Sequence, residues 1–289
     1  MSATAPASAG LTVAYSAGGR AVRLGAVDYL NAEPHVFGLD ADPGFRLERD
    51  VPSRIARRLH AGDVDLGLIP SIEYAFGGYA IVPQVAIASR GAVRSVCLFH
   101  HGPLDRVRRV ALDTSSRTSA TLVKILLHER LGRHPQYVPM GPNLVDMLAV
   151  ADAALLIGDP ALDHEQHAGR LDLGEEWLRL TGLPFVYAFW AGRPGTVNPA
   201  GVRRLQEALA AGLEDVGAIA LAHAAGSPAR AASYEAYLRE NIVFRLGEQE
   251  RAGLREFYRR AHALSLIPAV LMFFLQRFFG SLSISSGEK

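Results

Sequence analysis

The sequence predicts a two-lobed α/β protein closed by a helical C-terminal segment, and three observations carry that expectation. Short apolar runs alternate with helical periodicities from residue 22 to residue 157, the pattern of a largely parallel sheet. Two apolar runs, 95–99 and 185–191, each separate one strand–helix series from the next, as crossings between lobes would. From Asn198 onward every periodic segment reads as helix. The expected division is a flexible tail over 1–20, a first lobe made of 21–97 and 190–289, and a second lobe over 98–189.

In chain order, residues 22–27 form an apolar strand that runs into the polar turn Asp28-Tyr29-Leu30-Asn31-Ala32-Glu33-Pro34, whose proline suits a helix start. Residues 45–49 read as a second strand. Val51-Pro52-Ser53 opens a helix that Gly62 closes, and 64–70 is a buried strand ending before Ser71. Residues 81–88 and 95–99 are two more strands. The second series runs strand 110–112, helix 117–131, strand 136–139, helix 144–150 and strand 153–157, ending at Gly158-Asp159-Pro160. Trp177 sits in a polar segment, and 184–191 is an aromatic strand. The helices of the last third are expected over 202–213, 216–223, 233–240 and 248–264.

The stretch with most chemistry is Asp113-Thr114-Ser115-Ser116-Arg117-Thr118-Ser119, a strand end, a hydroxyl-rich turn and the first turn of a helix. Ser115 or Ser116 can cap it, and the helix start offers unpaired N–H groups beside several hydroxyls. That is a receptor for a carboxylate or phosphate. The guanidinium of Arg117 can face the cleft, point to solvent, or turn to an acid such as Asp113. In a two-lobed fold, ligands lie between lobes where strand C-termini and helix N-termini converge. Asn31, Ser71, Ser95, the turn Ser115, Ser116, Arg117, Thr118 and Ser119, and Gly158 with Asp159 are expected to point there.

Bulk properties exclude several classes. The 289 residues are 49% hydrophobic and 20% charged with a formal net charge of +1, so neither nucleic acid nor an acidic membrane is an expected partner. One cysteine, Cys97, rules out an internal disulfide framework and suits a reducing compartment; in its apolar strand it reads as a small buried hydrophobe. The first 20 residues lack the pattern of an export signal. The apolar stretch 264–279, interrupted by Pro268 and Arg277, is short for a membrane span and reads as a buried or partner-facing helix. His164 and His167, with Asp163 and Glu165, read as a solvated loop, and no metal site is expected. No phosphate-loop or dinucleotide fingerprint occurs.

Tyr29-Leu30-Asn31, Gly62-Asp63-Val64-Asp65-Leu66-Gly67, Ser115-Ser116-Arg117-Thr118-Ser119, Leu156-Ile157-Gly158-Asp159 and Gly182-Leu183-Pro184-Phe185-Val186 together resemble the chorismate dehydratase family of the futalosine route to menaquinone. The resemblance runs from about residue 23 to about 193 and more loosely to 264. The Gly-Asp-Val-Asp element is common to many two-lobed binding proteins. The Tyr-Leu-Asn and Ser-Arg-Thr-Ser elements are the specific ones.

The resemblance implies a type II periplasmic-binding-protein fold used as a cytoplasmic enzyme. It implies a hydro-lyase that removes water from chorismate to give 3-[(1-carboxyvinyl)oxy]benzoate, with no cofactor. It puts the functional serine on Ser95 and the functional asparagine on Asn31, with Tyr29 among the substrate-binding residues. It also implies that the substrate's own enolpyruvyl carboxylate takes the ring proton, the acids Asp28, Glu73 and Asp159 being the nearest protein alternatives. Two rivals share the fold: a solute-binding protein for a small carboxylate, and dihydroxynaphthoate synthase, for which a histidine is expected.

Overall fold

Two mixed sheets organise the chain in this computed structural model, which describes residues 15–16, 19–132 and 134–268. The first sheet takes β1 (Val22–Val27), β2 (Phe45–Asp50), β3 (Leu66–Pro70), β4 (Ala80–Ile81), β5 (Gln84–Ser89), β11 (Phe185–Gly192) and β12 (Val243–Leu246), in the order β12-β5-β11-β3-β1-β2 with β4 on β11. The second takes β6 (Val96–His100), β7 (Arg109–Asp113), β8 (Gln136–Met140), β9 (Ala153–Ile157) and β10 (Arg170–Asp172), in the order β10-β6-β9-β7-β8. The strands joined by helical crossovers, β1 with β2 and β3, and β7 with β8 and β9, pair in parallel. Those added by other routes, β5, β6, β10, β11 and β12, pair antiparallel. This is the two-lobed architecture expected from the alternation.

The helices follow local chemistry. In α2 (Pro52–Ala61) a proline occupies the first turn, Ile55, Ala56 and Leu59 are buried, and Gly62 closes the helix at φ 85°. In α3 (Arg117–Leu131), Ser116 is the cap, its hydroxyl accepting from the Ser119 N–H at 3.2 Å. Leu122, Val123, Ile125, Leu126 and Leu127 face the core. The remaining helices are α1 (Glu33–Val36), α4 (Leu144–Val150), α5 (Asp159–Leu162), α6 (Leu173–Thr181), α7 (Pro199–Glu214), α8 (Val216–His223), α9 (Pro228–Ala236), which continues into a π turn at Tyr237–Asn241, and α10 (Glu248–Ala263).

Several elements differ from the sequence expectation. The strand expected over 81–88 is two strands, because Pro83 lacks an N–H and Gln84 adopts φ 69°. The last third is not wholly helical: β12 adds a four-residue strand to the edge of the first sheet beside β5. Both expected crossing strands lie whole in one sheet, β6 in the second and β11 in the first, so the chain passes between sheets in the segments before them. The expected lobe boundaries at 97/98 and 189/190 fall inside those strands. Trp177 is fully buried in α6, its indole N–H donating to the Pro184 carbonyl at 3.2 Å. Tyr15, inside the expected flexible tail, stacks on Phe45 at 4.6 Å; the rest of that tail to residue 14 lies outside the described residues. The expected helix over 264–279 is turn and bend as far as residue 268, and beyond that it too lies outside the described residues.

The core joins the last third of the chain to both sheets. Trp177, Phe185 and Phe257 pack edge-on at 4.9–6.2 Å, fastening α6, β11 and α10 together. Gly253 lets α10 approach β11 closely: a Cβ there would lie 1.9 Å from the Pro184 carbonyl oxygen. Among the described residues no helix is long and apolar enough to cross a membrane.

His35, on α1, is fully buried with its ring 5.6 Å from that of Phe244. Burial pushes its imidazole down to about 4, so the unfolded chain takes up the proton first as pH falls. Its stabilising share is complete above about pH 6.5 and drains away toward pH 4, by roughly 3 kcal/mol in all. His35→Leu should flatten this part of the stability curve, measured by urea unfolding at neutral pH and near pH 4.5. Equal acid-side losses in the two proteins would contradict it.

Candidate functional site

A cavity opens where the strand ends of both sheets meet two helix starts. Tyr29, Asn31, Ser95, Ser116, Ser119 and Gly158 contribute its polar and backbone lining. Val27, Pro52, Pro70, Ile87, Val93, Val96, Ile157, Tyr187 and Ala188 form its walls. A larger open groove beside Leu209, Leu213 and Phe244 contains none of the residues singled out by the sequence.

At one end, the starts of α2 and α3 come together, the Ser53 N–H donating to the Ser115 carbonyl at 2.9 Å. Ser116 donates its hydroxyl to the Ser119 oxygen at 3.1 Å. That leaves the Ser119 hydroxyl proton, and the N–H groups of Arg117 and Thr118 that have no intrahelical acceptor, as donors near the cavity. Two helix dipoles add partial positive charge in the same place. This end is suited to an anion without any cationic side chain.

The rest of the hydroxyl-rich turn is occupied otherwise. Ser115 bonds Asp113 twice, through its N–H at 2.8 Å and its hydroxyl at 2.6 Å. The Thr118 oxygen accepts from the Ile72 N–H at 3.0 Å, and Ser71 donates to the Val186 carbonyl at 2.8 Å. Arg117 turns away from the cavity: its guanidinium pairs with Glu73 at 3.0 Å and lies over the Phe76 ring at 4.5 Å. The partner is thus Glu73, not Asp113. Ser71, Ser115, Arg117, Thr118 and Asp159 frame the cavity without lining it.

At the other end, Gly158 is indispensable on two counts. Its backbone sits at φ 63°, ψ −148°, a region essentially closed to residues with a Cβ. A Cβ there would also lie 2.9 Å from the Tyr29 ring. Its N–H donates to the Ser95 carbonyl at 2.8 Å. Asp159 ties the lobes beside it, accepting from the Leu30 N–H at 3.2 Å and facing the His223 ring at 2.8 Å. The bond to Asp159 holds His223 above the usual histidine range.

Ser95 and Asn31 come together through a residue the sequence reading did not single out. The Tyr237 hydroxyl donates to the Ser95 oxygen at 2.7 Å and accepts from the Asn31 amide at 3.0 Å. Tyr237 belongs to the π turn and is 142 positions from Ser95. No local motif marks it. Ser95 is held from behind as well: the Asp172 carboxylate accepts from the Val93 N–H at 3.0 Å and the Arg94 N–H at 2.7 Å.

None of the lining residues is a carboxylate, imidazole or ammonium. Its ionisable members are phenols; burial pushes Tyr29 up to about 12 and holds Tyr187 well above the ordinary tyrosine range. The nearby acids are engaged or exposed. Glu73 pairs with Arg117 and with His60 at 3.0 Å, Asp159 is paired as above, and Asp28 faces solvent. His164 and His167 rest edge-on against Phe99, at 6.1 and 5.5 Å. The Cys97 thiol is buried and pushed up by desolvation. Among the described residues no group of three His, Cys, Asp or Glu side chains could hold a metal ion. Asp65 of the Gly-Asp-Val-Asp element is structural: despite burial, its bonds to Arg20 and Arg23 hold it far below the usual carboxylate range.

With this geometry in hand, comparisons with known proteins are specific. The profile of a family described as menaquinone biosynthesis matches residues 22–263. A chorismate dehydratase of Thermus thermophilus is 36% identical over 274 residues, covering 87% of this chain and 97% of the relative. The fold is similar to a Candida albicans gene product described as having the generic periplasmic binding protein fold, at TM-score 0.62 and 11% identity, covering 89% of this chain and 94% of that one. It is also similar to the alkanesulfonate-binding protein of Xanthomonas axonopodis pv. citri, at TM-score 0.59 and 17% identity, covering 86% and 94%.

Because Thr118 bonds inward, its loss should be felt in folding. Thr118→Val orphans the buried Ile72 N–H, which costs about 1–3 kcal/mol; each kcal/mol is worth about 2–4 °C at this chain length. Calorimetry should therefore show Tm lowered by several degrees with ligand affinity nearly kept. Unchanged Tm with lost affinity would return Thr118 to the binding set.

Proposed function

The chain belongs to the menaquinone-biosynthesis family, alongside the chorismate dehydratases, and from that premise we propose that it is a cytoplasmic lyase that removes water from chorismate to give 3-[(1-carboxyvinyl)oxy]benzoate. The observation that carries the reading is the cavity itself. Neutral hydrogen-bond donors converge on an apolar slot whose lining has no group that ionises near neutrality.

The reaction breaks the ring C–H bond beside the C–OH bond that also breaks, and the electron pair left behind completes an aromatic ring. Aromatisation supplies the driving force, so the protein's task is to orient the substrate and to stabilise charge as it develops. One carboxylate of chorismate is proposed to lie against the start of α3, beside the Ser119 hydroxyl and the free N–H groups of Arg117 and Thr118. The ring is proposed to lie between Ile87, Val93, Val96 and Ile157. Ser95 and Asn31 then face the reacting atoms as hydrogen-bond groups.

With no protein base lining the cavity, the ring proton goes to the substrate's own enolpyruvyl carboxylate, as the family resemblance implied, and passes from there to the departing hydroxide, which leaves as water. The missing histidine in the lining weighs against the sister synthase. A solute binder would share the fold and the anion end, and turnover separates the two.

Ser95→Ala and Asn31→Ala should each lower kcat by roughly a hundred- to a thousandfold with KM within about tenfold. Near-normal kcat in both variants, followed by product absorbance and mass, would contradict their assignment. Ser119→Ala should instead raise KM, by about two- to a hundredfold for the loss of one hydrogen bond to an anion, with Tm nearly unchanged. A kcat loss at unchanged KM would move Ser119 away from the anion end. Activity on chorismate should survive exhaustive chelation; loss with EDTA and recovery with one metal would overturn the cofactor-free reading.

A further inference from the structure

The geometry points to Tyr237 as a positioning residue that fixes Asn31 and Ser95 against each other and turns the Ser95 hydroxyl proton into the cavity. The inference rests on those two residues touching substrate, as proposed above.

A hydroxyl has one proton to give. Tyr237 gives its proton to the Ser95 oxygen at 2.7 Å and receives one from the Asn31 amide nitrogen at 3.0 Å. Both Asn31 and Ser95 line the cavity. With Ser95 already accepting, its own proton is directed to whatever occupies the cavity. With the Asn31 nitrogen already facing Tyr237, its carbonyl oxygen is held in one of two orientations. A single phenol thus sets the polarity of two neutral groups that have no ionised partner of their own.

The phenol is suited to this because it stays protonated. Tyr237 is fully buried, and desolvation pushes it well above the ordinary tyrosine range. The Arg94 guanidinium stands 5.8 Å from the ring centroid and draws density from it, favouring donation over acceptance.

The surroundings hold the ring in place. Arg94 bonds Glu165 through two nitrogens and the Ser233 hydroxyl at 2.8 Å. The Asn241 amide, at the far end of the π turn, donates to the Ala92 carbonyl at 3.0 Å. The chain is therefore clamped to the segment that carries Ser95 on both sides of Tyr237, at Ser233 in α9 and at Asn241 at the end of the π turn. π turns recur at functional sites, and this one ends α9. Here the π turn gives the helical C-terminal segment a direct role: it brings the phenol to a cleft built by the two sheets.

The test is Tyr237→Phe, which removes one oxygen and keeps the ring, assayed on chorismate beside Ser95→Ala and the double variant. We expect kcat to fall about ten- to a hundredfold with KM within about threefold and Tm within several degrees. In the Ser95→Ala background the same change should cost at least about fivefold less, because part of its effect has already gone. Unchanged kcat in Tyr237→Phe, or equal fractional losses in the two backgrounds, would overturn the inference and return Tyr237 to packing. The double variant no longer orphans Ser95, so it keeps the comparison valid if the single variant is poorly stable. Wild-type protein inactive on chorismate would overturn the dehydratase reading, and this inference with it; wild-type activity confines any failure to Tyr237.

Discussion

The close approach of Gly158 to the Tyr29 ring is the constraint on which the site depends. It is where the last strand of the second sheet's parallel core meets the loop after the first strand of the first sheet. The same glycine fixes the Ser95 carbonyl through its N–H, and the next residue, Asp159, accepts from the Leu30 N–H. Three segments far apart in sequence are thus brought within one turn of backbone, and only a residue without a Cβ permits it. The cavity is the space left between them.

The electrostatic design follows from burial. A carboxylate or ammonium in a slot this apolar would need a partner, or would shift its pKa until it became neutral. The chain instead keeps charged groups one layer back, most of them paired: Glu73 with Arg117 and His60, Asp159 with His223, Arg94 with Glu165, while Asp113 is bonded by Ser115. Asp172 serves through hydrogen bonds alone, accepting from the backbone that leads to Ser95. What reaches the cavity is hydroxyls, an amide and helix N-termini. Such groups bind anions and stabilise developing charge with little reorganisation, and none of them is a base near neutrality.

Much of this was legible in the sequence where it was local. Alternating strands and helices predicted two sheets, the cap of α3 was narrowed to Ser115 or Ser116, of which Ser116 is the one, and Asn31, Ser95 and Gly158 line one cavity. What was not legible depended on long-range partners. Arg117 sits in the right turn, but Glu73 and Phe76, over 40 positions earlier, decide where it points. Thr118 looks like an anion ligand until the Ile72 N–H claims it. Trp177 sits in a polar run because α6 buries one face and exposes the other. β12 has four residues, too few for a period to declare itself, and Tyr237 carries no motif at all. These positions are specified by tertiary packing, which periodicity does not record.

The account stands or falls on the source of the base. A crystal structure of the Ser95→Ala variant with chorismate bound tests it most directly. The account predicts one carboxylate at the start of α3 beside Ser116 and Ser119, the ring against Ile87 and Val96, and the enolpyruvyl carboxylate within reach of the ring proton. It predicts every protein carboxylate to be out of hydrogen-bonding range of that carbon. Asp28, Glu73, Asp113 or Asp159 turned in to touch the ring C–H, with the enolpyruvyl group pointing away, would contradict it.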